Sequence, residues 1–326
     1  MKKTTSALAI AALLGTGAAS AATFQVSDDT SVTIGGDFQF AYTDVDNDQG
    51  ESKSSFGDND SSLVFAGEQT HENGVTTSFY LDFDEFGTTG GVYEDNLATD
   101  EYHVAFAGDF GQIKIGNEGD VTGAIFDVVD IAESTGLDTP AGGASTEVLQ
   151  YYSNDLNGIS FAVQAQLKGE TQEDAVKADS KTASDGNSTS FAGMVMADLG
   201  TVTAGIGYAE RANTEDEPTY GLMVSSAIAG VNVSANYVVQ DDAANQDIDS
   251  IGVAADYDYG AGSLYGALHS WSEDNKPAGE QDDYTQYLVG VNYNVTSNAY
   301  VYGEVSSQDR ENDKNDTMAV GLVYSW

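Results

Sequence analysis

The chain has 326 residues, with 53 Asp+Glu against 11 Lys+Arg for a formal charge of -42, and with 36 Gly, 18 Tyr, 3 Pro and no Cys. So few cations cannot build the basic face that nucleic acid requires, and the lack of cysteine excludes a disulfide framework, a thiolate metal site and a cysteine nucleophile. Acidity on this scale goes with disorder only where apolar residues are scarce, whereas this chain is 40% hydrophobic and 10% aromatic.

Lys2 and Lys3, the apolar run from Ala7 to Leu14 and the small residues Ala19-Ser20-Ala21 have the layout of a secretory signal peptide. Cleavage is expected after Ala21, leaving 22–326 as the mature chain; an uncleaved anchor is the alternative, disfavoured because the run is short for a bilayer. Removing the two lysines with no acid takes the formal charge from -42 to -44. No later stretch approaches the ~20 apolar residues of a transmembrane helix.

Downstream the hydrophobic period is two. Val75, Thr77, Phe79, Leu81 and Phe83 alternate with Thr76, Ser78, Tyr80, Asp82 and Asp84, so one face is apolar and the other wet. Ile159, Phe161, Val163, Ala165 and Leu167 repeat the pattern, as does the segment 231–240. The same template predicts strands near 32–42, 61–70, 75–86, 99–107, 111–117, 147–154, 159–168, 189–199 and 201–210. It continues near 219–228, 231–240, 248–259, 263–273, 283–295, 299–308 and 317–326, an even set of sixteen.

The connections alternate in length. Short ones such as Glu72-Asn73-Gly74, Leu199-Gly200, Ala229-Gly230 and Gly260-Ala261-Gly262 have the Gly or Asn of hairpin turns. Long ones at 43–60, 87–98, 117–146, 169–188, 211–218, 241–247, 274–282 and 309–316 are rich in Asp, Asn, Ser and Gly. Short turns at one end, long loops at the other and amphipathic strands of ~10 residues predict an all-β fold, a transmembrane antiparallel 16-stranded β-barrel with short periplasmic turns and long external loops. A soluble β-sandwich also alternates, but with less regular connections. No linker divides 22–326, which reads as one barrel domain.

Three segments carry a family resemblance. Gly108-Asp-Phe-Gly-Gln-Ile-Lys-Ile-Gly116, leading into the longest loop, resembles the corresponding hairpin of the Gram-negative general diffusion porins. Leu149-Gln-Tyr-Tyr-Ser-Asn-Asp-Leu-Asn-Gly-Ile-Ser-Phe161 is similar to the family's next hairpin. The last residues, Gly321-Leu-Val-Tyr-Ser-Trp326, resemble its terminal assembly signal, in which Gly321, Tyr324 and Trp326 would be read by the outer-membrane assembly machinery; Trp326 stands where the family usually has Phe.

The resemblance implies a homotrimer in the outer membrane of a Gram-negative bacterium, in contact with membrane lipid and lipopolysaccharide. It also implies a third loop, 117–146, folded inward as a constriction carrying Asp120, Asp127, Asp130, Glu133 and Asp138. The apolar residues Val121, Ile125, Phe126, Val128, Val129 and Ile131 suit a loop packed against a wall, although a loop left outside the barrel would also fit its length. Where the family faces these acids with arginines, this sequence departs. Its expected lumen wall offers Asp37, Glu68, Asp82 and Asp84, and Lys114 is the only cation on the first five predicted strands.

The expected function is passive diffusion of small hydrophilic solutes and ions with a preference for cations, since a narrow lumen of one charge sign concentrates counter-ions. The alternatives are that the acids are simply solvated, that inward Tyr80, Tyr300 and Tyr302 serve a saccharide-preferring porin, or that the chain is a secreted β-rich adhesin. Tyr42, Tyr220, Tyr257, Tyr293 and Tyr324 are expected on the outer face at the membrane interfaces. No cofactor, metal or enzyme site is expected. His71, His103 and His269 have no catalytic motif around them, and the acidic run starting at Asp44 places Gly50 and Ser55 wrongly for a calcium loop.

Overall fold

The computed structural model describes residues 21–47, 52–84, 98–138, 147–166, 189–210, 216–242, 248–273, 283–309 and 315–326. The signal-peptide expectation for 1–20 therefore lies outside the described residues, as do 139–146 of the long loop.

The described chain is one antiparallel sheet closed on itself. It opens with β1 (Ala22–Ser27), β2 (Thr30–Asn47), β3 (Ser52–Asp58), β4 (Ser62–Thr70), β5 (Thr76–Asp84), β6 (Ala98–Gly108), β7 (Gly111–Asn117), β8 (Val148–Tyr152) and β9 (Ile159–Gln166). Then come β10 (Ser190–Asp198), β11 (Val202–Ala209), β12 (Asp216–Ile228), β13 (Val231–Asp242), β14 (Ile248–Asp258) and β15 (Ser263–Glu273). The last are β16 (Asp283–Thr296), β17 (Ala299–Gln308) and β18 (Asn315–Ser325), with one helical turn, α1 (Gly123–Phe126), between β7 and β8.

Each strand from β4 to β18 pairs with the next, and β18 returns to β2 with Tyr324 opposite Phe38. In hydrocarbon every backbone N–H and C=O must be paired within the protein, and closure leaves no edge.

Eighteen segments make sixteen staves because two staves are split. The inner part of β2 pairs with β4 and its outer part with β3, so β3 and β4 form one interrupted stave. At the break Asp60 takes φ 72°, Asp58 Oδ1 accepts Ser61 N–H at 2.8 Å, and Ser61 Oγ accepts Gln39 N–H at 2.9 Å. On the other side of β2, β1 continues the line of β18: Ala22 lies opposite Ile34, while Trp326 and Gly36 exchange backbone hydrogen bonds. Neither β1 nor β3 was among the expected strands, the first for want of a long alternating run and the second because it is mostly Ser, Lys and Asp. One correction follows: β3 carries Lys53, so Lys114 is not the only cation on the first staves.

Alternation places the faces. Ile206, Leu222, Val224, Val253, Leu268, Val289 and Val320 are exposed on the outside. Tyr42, Tyr220, Tyr257, Tyr293 and Tyr324 share that face, each 40–54% exposed, where an amphipathic ring meets the headgroups. The tight turns take positive φ at Gly74, Asn157, Gly158, Gly200, Ala229 and Gly230, which sets the right-handed twist of each hairpin.

Candidate functional site: the lumen and its loop

Residues 117–138 run along the inside of the barrel from β7 to β17, and apolar contacts seat them. Ile125 and Phe126 of α1, both fully buried, pack with Val121 against inward-facing Ala162, Ala192, Ala209, Met223 and Val238 of β9 to β13. Val129, also fully buried, and Leu137 pack with Ala254, Ala267, Tyr265 and Leu288 of β14 to β16. In a water-filled lumen each such side chain contributes about 1.5–3 kcal/mol to seating.

Main-chain hydrogen bonds then fix the path. Near its root, Gln150 Nε2 donates to the Gly119 carbonyl at 2.7 Å, and Val121 N–H donates to Gln164 Oε1 at 3.4 Å. On β13, Asn236 Nδ2 donates to the Phe126 carbonyl at 2.6 Å and Ser234 Oγ to that of Val128 at 2.8 Å. On β17, Glu304 is only 2% exposed and accepts the backbone N–H groups of Glu133, Ser134 and Thr135 at 2.6, 3.0 and 3.1 Å, with Tyr265 Oη donating at 2.8 Å. Asn59, at the break in the second stave, donates to the Glu133 carbonyl at 3.0 Å. The fully buried His269 bonds through Nδ1 to the Asp138 carbonyl at 2.8 Å, and Asp138 N–H donates to Gln286 Oε1 at 3.0 Å.

The loop acids are thereby placed one by one. Asp127, Asp130 and Asp138 are exposed, Asp138 with Oδ2 accepting from Gln286 Nε2 at 2.8 Å. Asp120 is half-buried and accepts from Thr122 Oγ1. Glu133, half-buried, accepts from Tyr300 Oη at 2.7 Å. Burial first, and then the Glu304 charge, raise its carboxyl above the usual range, although the Tyr300 hydrogen bond pulls the other way.

Across the lumen, β5 lies eight staves from β13, half the circuit. Its inward face carries Asp82, which accepts from Tyr80 Oη at 3.0 Å, and Asp84. Neighbouring β2 adds Asp37, accepting from Ser62 Oγ at 2.6 Å and Gln39 Nε2 at 2.5 Å, and β4 adds Glu68, which accepts from Ser31 Oγ at 3.4 Å.

Lys114 points inward from β7 and is 5% exposed. Its Nζ donates to Glu118 Oε1 at 2.6 Å and lies 5.4 Å from the centre of the Tyr152 ring, while the other Glu118 oxygen meets His103 Nδ1. The His103 ring stacks on Tyr80 at 5.4 Å. The inward cation is therefore matched by a carboxylate. Burial opposes the charge on Glu118, but His103 and Lys114 hold its carboxyl below the usual range.

Glu304, Glu118, Asn59 and Asn236 were not among the expected site residues. The signal for Glu304 lies in the alternation of 299–308, where Tyr300, Tyr302 and Glu304 share a face. Glu118 sits in a loop without a period and gave none. Of the proposed assembly signal, Tyr324 is exposed on the outer face, Gly321 lies beneath the Tyr302 ring, and Trp326 ends the stave that β1 continues. Among the described residues no group of His, Cys, Asp and Glu has the arrangement to hold a metal ion, and no helix is long and apolar enough to cross a membrane.

Comparison with known proteins agrees with the barrel. A Halomonas protein named monosaccharide porin and the major outer membrane protein of Halomonas elongata are each 28% identical to this chain, over 99% of it and 100% of their own lengths. The anion-selective porin from Comamonas acidovorans has a similar fold, with a TM-score of 0.73 at 17% identity, covering 91% of this chain and 100% of that one. The family model for Gram-negative porins matches residues 4–313. A closed sixteen-stave barrel and a family match over almost the whole chain meet in one conclusion: the chain belongs to the Gram-negative porins, and its place is the outer membrane.

Proposed function

We propose that the protein is a passive, non-enzymatic channel for small hydrophilic solutes with a preference for cations, constricted by 117–146 of the inward loop. The observation that carries this reading is that carboxylates face the lumen from both sides. Asp127, Asp130 and Asp138 are on the loop and Asp37, Glu68, Asp82 and Asp84 on the facing staves, while Glu118 offsets Lys114. Among the described residues the other lysine is Lys53, exposed on β3, and no arginine is present. Low-dielectric walls with carboxylates on both sides concentrate cations. In a planar bilayer with a potassium chloride gradient, the reversal potential is expected on the cation side; a value on the anion side overturns the proposal.

Cleavage after Ala21 would place a new N-terminus at the start of β1. Assembly as a homotrimer is supported by an uneven outer face. The last of the thirteen phenylalanines is Phe191, and Phe40 on Phe56 and Phe65 against Phe83 form ring pairs at 6.2 and 6.1 Å on the first staves. Aromatic-rich apolar surface is what protein interfaces favour over lipid. Lipid and lipopolysaccharide would meet the later staves, whose outer face has aliphatic side chains and tyrosines, and the assembly machinery would read β18 through Gly321, Tyr324 and Trp326.

A saccharide preference is a second reading, supported by the name of one Halomonas relative. Against it, the Tyr80 ring is stacked on His103 at 5.4 Å, Tyr302 is buried, and Trp271 is buried and stacked on Tyr284 at 5.8 Å, which leaves Tyr300 alone as a half-exposed ring and no continuous slide among these residues. Liposome swelling separates the two: a sieve ranks neutral sugars by size, and a saccharide porin saturates with one.

A further inference from the structure

Four glycines of the inner wall lie beneath the loop; at Gly205 the two nearest atoms to an added Cβ belong to the wall residues Met196 and Met223, and at the other three they include the loop itself. A Cβ at Gly221 of β12 would come within 2.5 Å of the Phe126 ring and 3.0 Å of Ile125; at Gly207 of β11 it would come within 3.2 Å of both. At Gly252 of β14 it would lie 2.6 Å from Val129 Cγ2 and 2.6 Å from Asn236 Oδ1, the side chain whose amide holds the Phe126 carbonyl. The residues they receive, Ile125, Phe126 and Val129, are the three fully buried apolar side chains among the described residues of the loop.

We infer that Gly207, Gly221 and Gly252 are positioning residues that set how far the loop stands from its wall, and so the free cross-section and size limit of the channel. This rests on 117–138 being the constriction.

Carbon atoms settle at 3.5–4.0 Å, so one added methyl at Gly252 must displace Val129 by about 1 Å. The near neighbours are side chains held in place: Val129 is fully buried, and Asn236, 3% exposed, is fixed by its amide on the Phe126 carbonyl, so neither swings aside without disturbing the loop. The direction of relief is inward, toward the staves that carry Asp82 and Asp84. The methyl therefore narrows the lumen instead of opening the barrel.

The test is single-channel conductance and neutral-sugar permeation of Gly252→Ala, with Gly303→Ala as a control. Gly303 faces outward with Val301 and Val305, and its nearest atom to an added Cβ would be 3.9 Å away. Gly252→Ala is expected to lower conductance about 1.3-fold and to shift the sugar cutoff to smaller solutes, with Gly303→Ala unchanged. The double variant Gly252→Ala with Val129→Ala, which removes the colliding methyls, is expected to restore both. Should Gly252→Ala fail to assemble, Val129→Ala alone is expected to raise conductance as the loop settles outward. Unchanged conductance in a folded Gly252→Ala, an equal drop in Gly303→Ala, or a double variant that does not recover overturns the inference. An Asp130→Arg variant separates its failure from that of the constriction itself. If Asp130→Arg changes conductance while Gly252→Ala does not, only the seat is wrong; if both are silent, the loop does not define the channel.

Discussion

The two halves of the inner wall are built from different chemistry. From β9 to β16 the inward positions beneath the loop include the small residues Ala162, Ala192, Ala209, Gly221, Gly252 and Ala254 beside larger apolar ones such as Met223, Val238 and Leu288, with amides and hydroxyls such as Asn236 and Ser234 between them. From β2 to β6 they are Asp37, Glu68, Asp82, Asp84, Glu101 and His103, with Tyr80 among them. The first half is shaped to hold a segment of chain, which needs close approach and donors for main-chain carbonyls. The second faces open water, where charge is cheap to keep. Apart from Glu304, whose carboxylate itself holds three N–H groups of the loop, the wall that binds the loop has little room for charged side chains, so the fixed charge of the lumen falls on the loop's exposed edge and on the wall opposite.

The largest expected effect comes from reversing one side of that pairing. Asp127→Lys with Asp130→Lys keeps the apolar side chains that seat the loop, gives up the hydrogen bonds that Asp130 accepts from the Leu137 and Ala132 N–H groups, and puts two cations opposite Asp82 and Asp84. The cation-to-anion permeability ratio should fall by about tenfold, read from the reversal potential. An unchanged ratio would mean that ions do not pass between these two faces.

A smaller effect is expected where the loop crosses from one half to the other. Glu304 gathers three consecutive N–H groups, and Glu304→Leu leaves them without an acceptor at a cost of about 1–3 kcal/mol each. Larger, noisier conductance steps and a lower heat-dissociation temperature should follow, with Glu304→Gln intermediate because it keeps one acceptor oxygen. Steps as quiet as those of the parent protein would show that the apolar seat alone holds the loop.

How much of this was legible in the sequence differs between the halves. The period-two pattern located the staves to within a few residues, because a lipid-facing side chain at every second position is a physical requirement that composition cannot hide. It missed β3, whose Ser52, Ser54 and Ser55 carry no such signal, and so misplaced Lys53. The acids Asp37, Glu68, Asp82 and Asp84 were identifiable because alternation sets their direction. The seat was not, since glycine in a strand reads only as weakness until the ring of Phe126, some hundred residues away in sequence, is found above it. The match of Lys114 with Glu118 was also hidden, because a loop residue has no period to say where it points.

The smallest effect concerns that match, and pH exposes it. Glu133 has its carboxyl raised by burial and by Glu304, so it loses charge as pH falls while ordinary carboxylates are still ionised. Cation preference should therefore begin to decline above the usual carboxylate range. Glu118 behaves oppositely: its folded-state value lies below the unfolded one despite burial, because His103 and Lys114 favour the anion. The stability it contributes is present above the usual range and is lost only as pH drops through that lowered value. Titrating the reversal potential and the heat-dissociation temperature together should show selectivity moving first and stability later. In Glu118→Gln the later step should shrink, and an unmatched Lys114 should cut the permeability ratio at neutral pH by about twofold. If instead the ratio is unchanged while the late stability step disappears, Lys114 is too deeply covered to be felt in the lumen, and the acidic half alone sets selectivity.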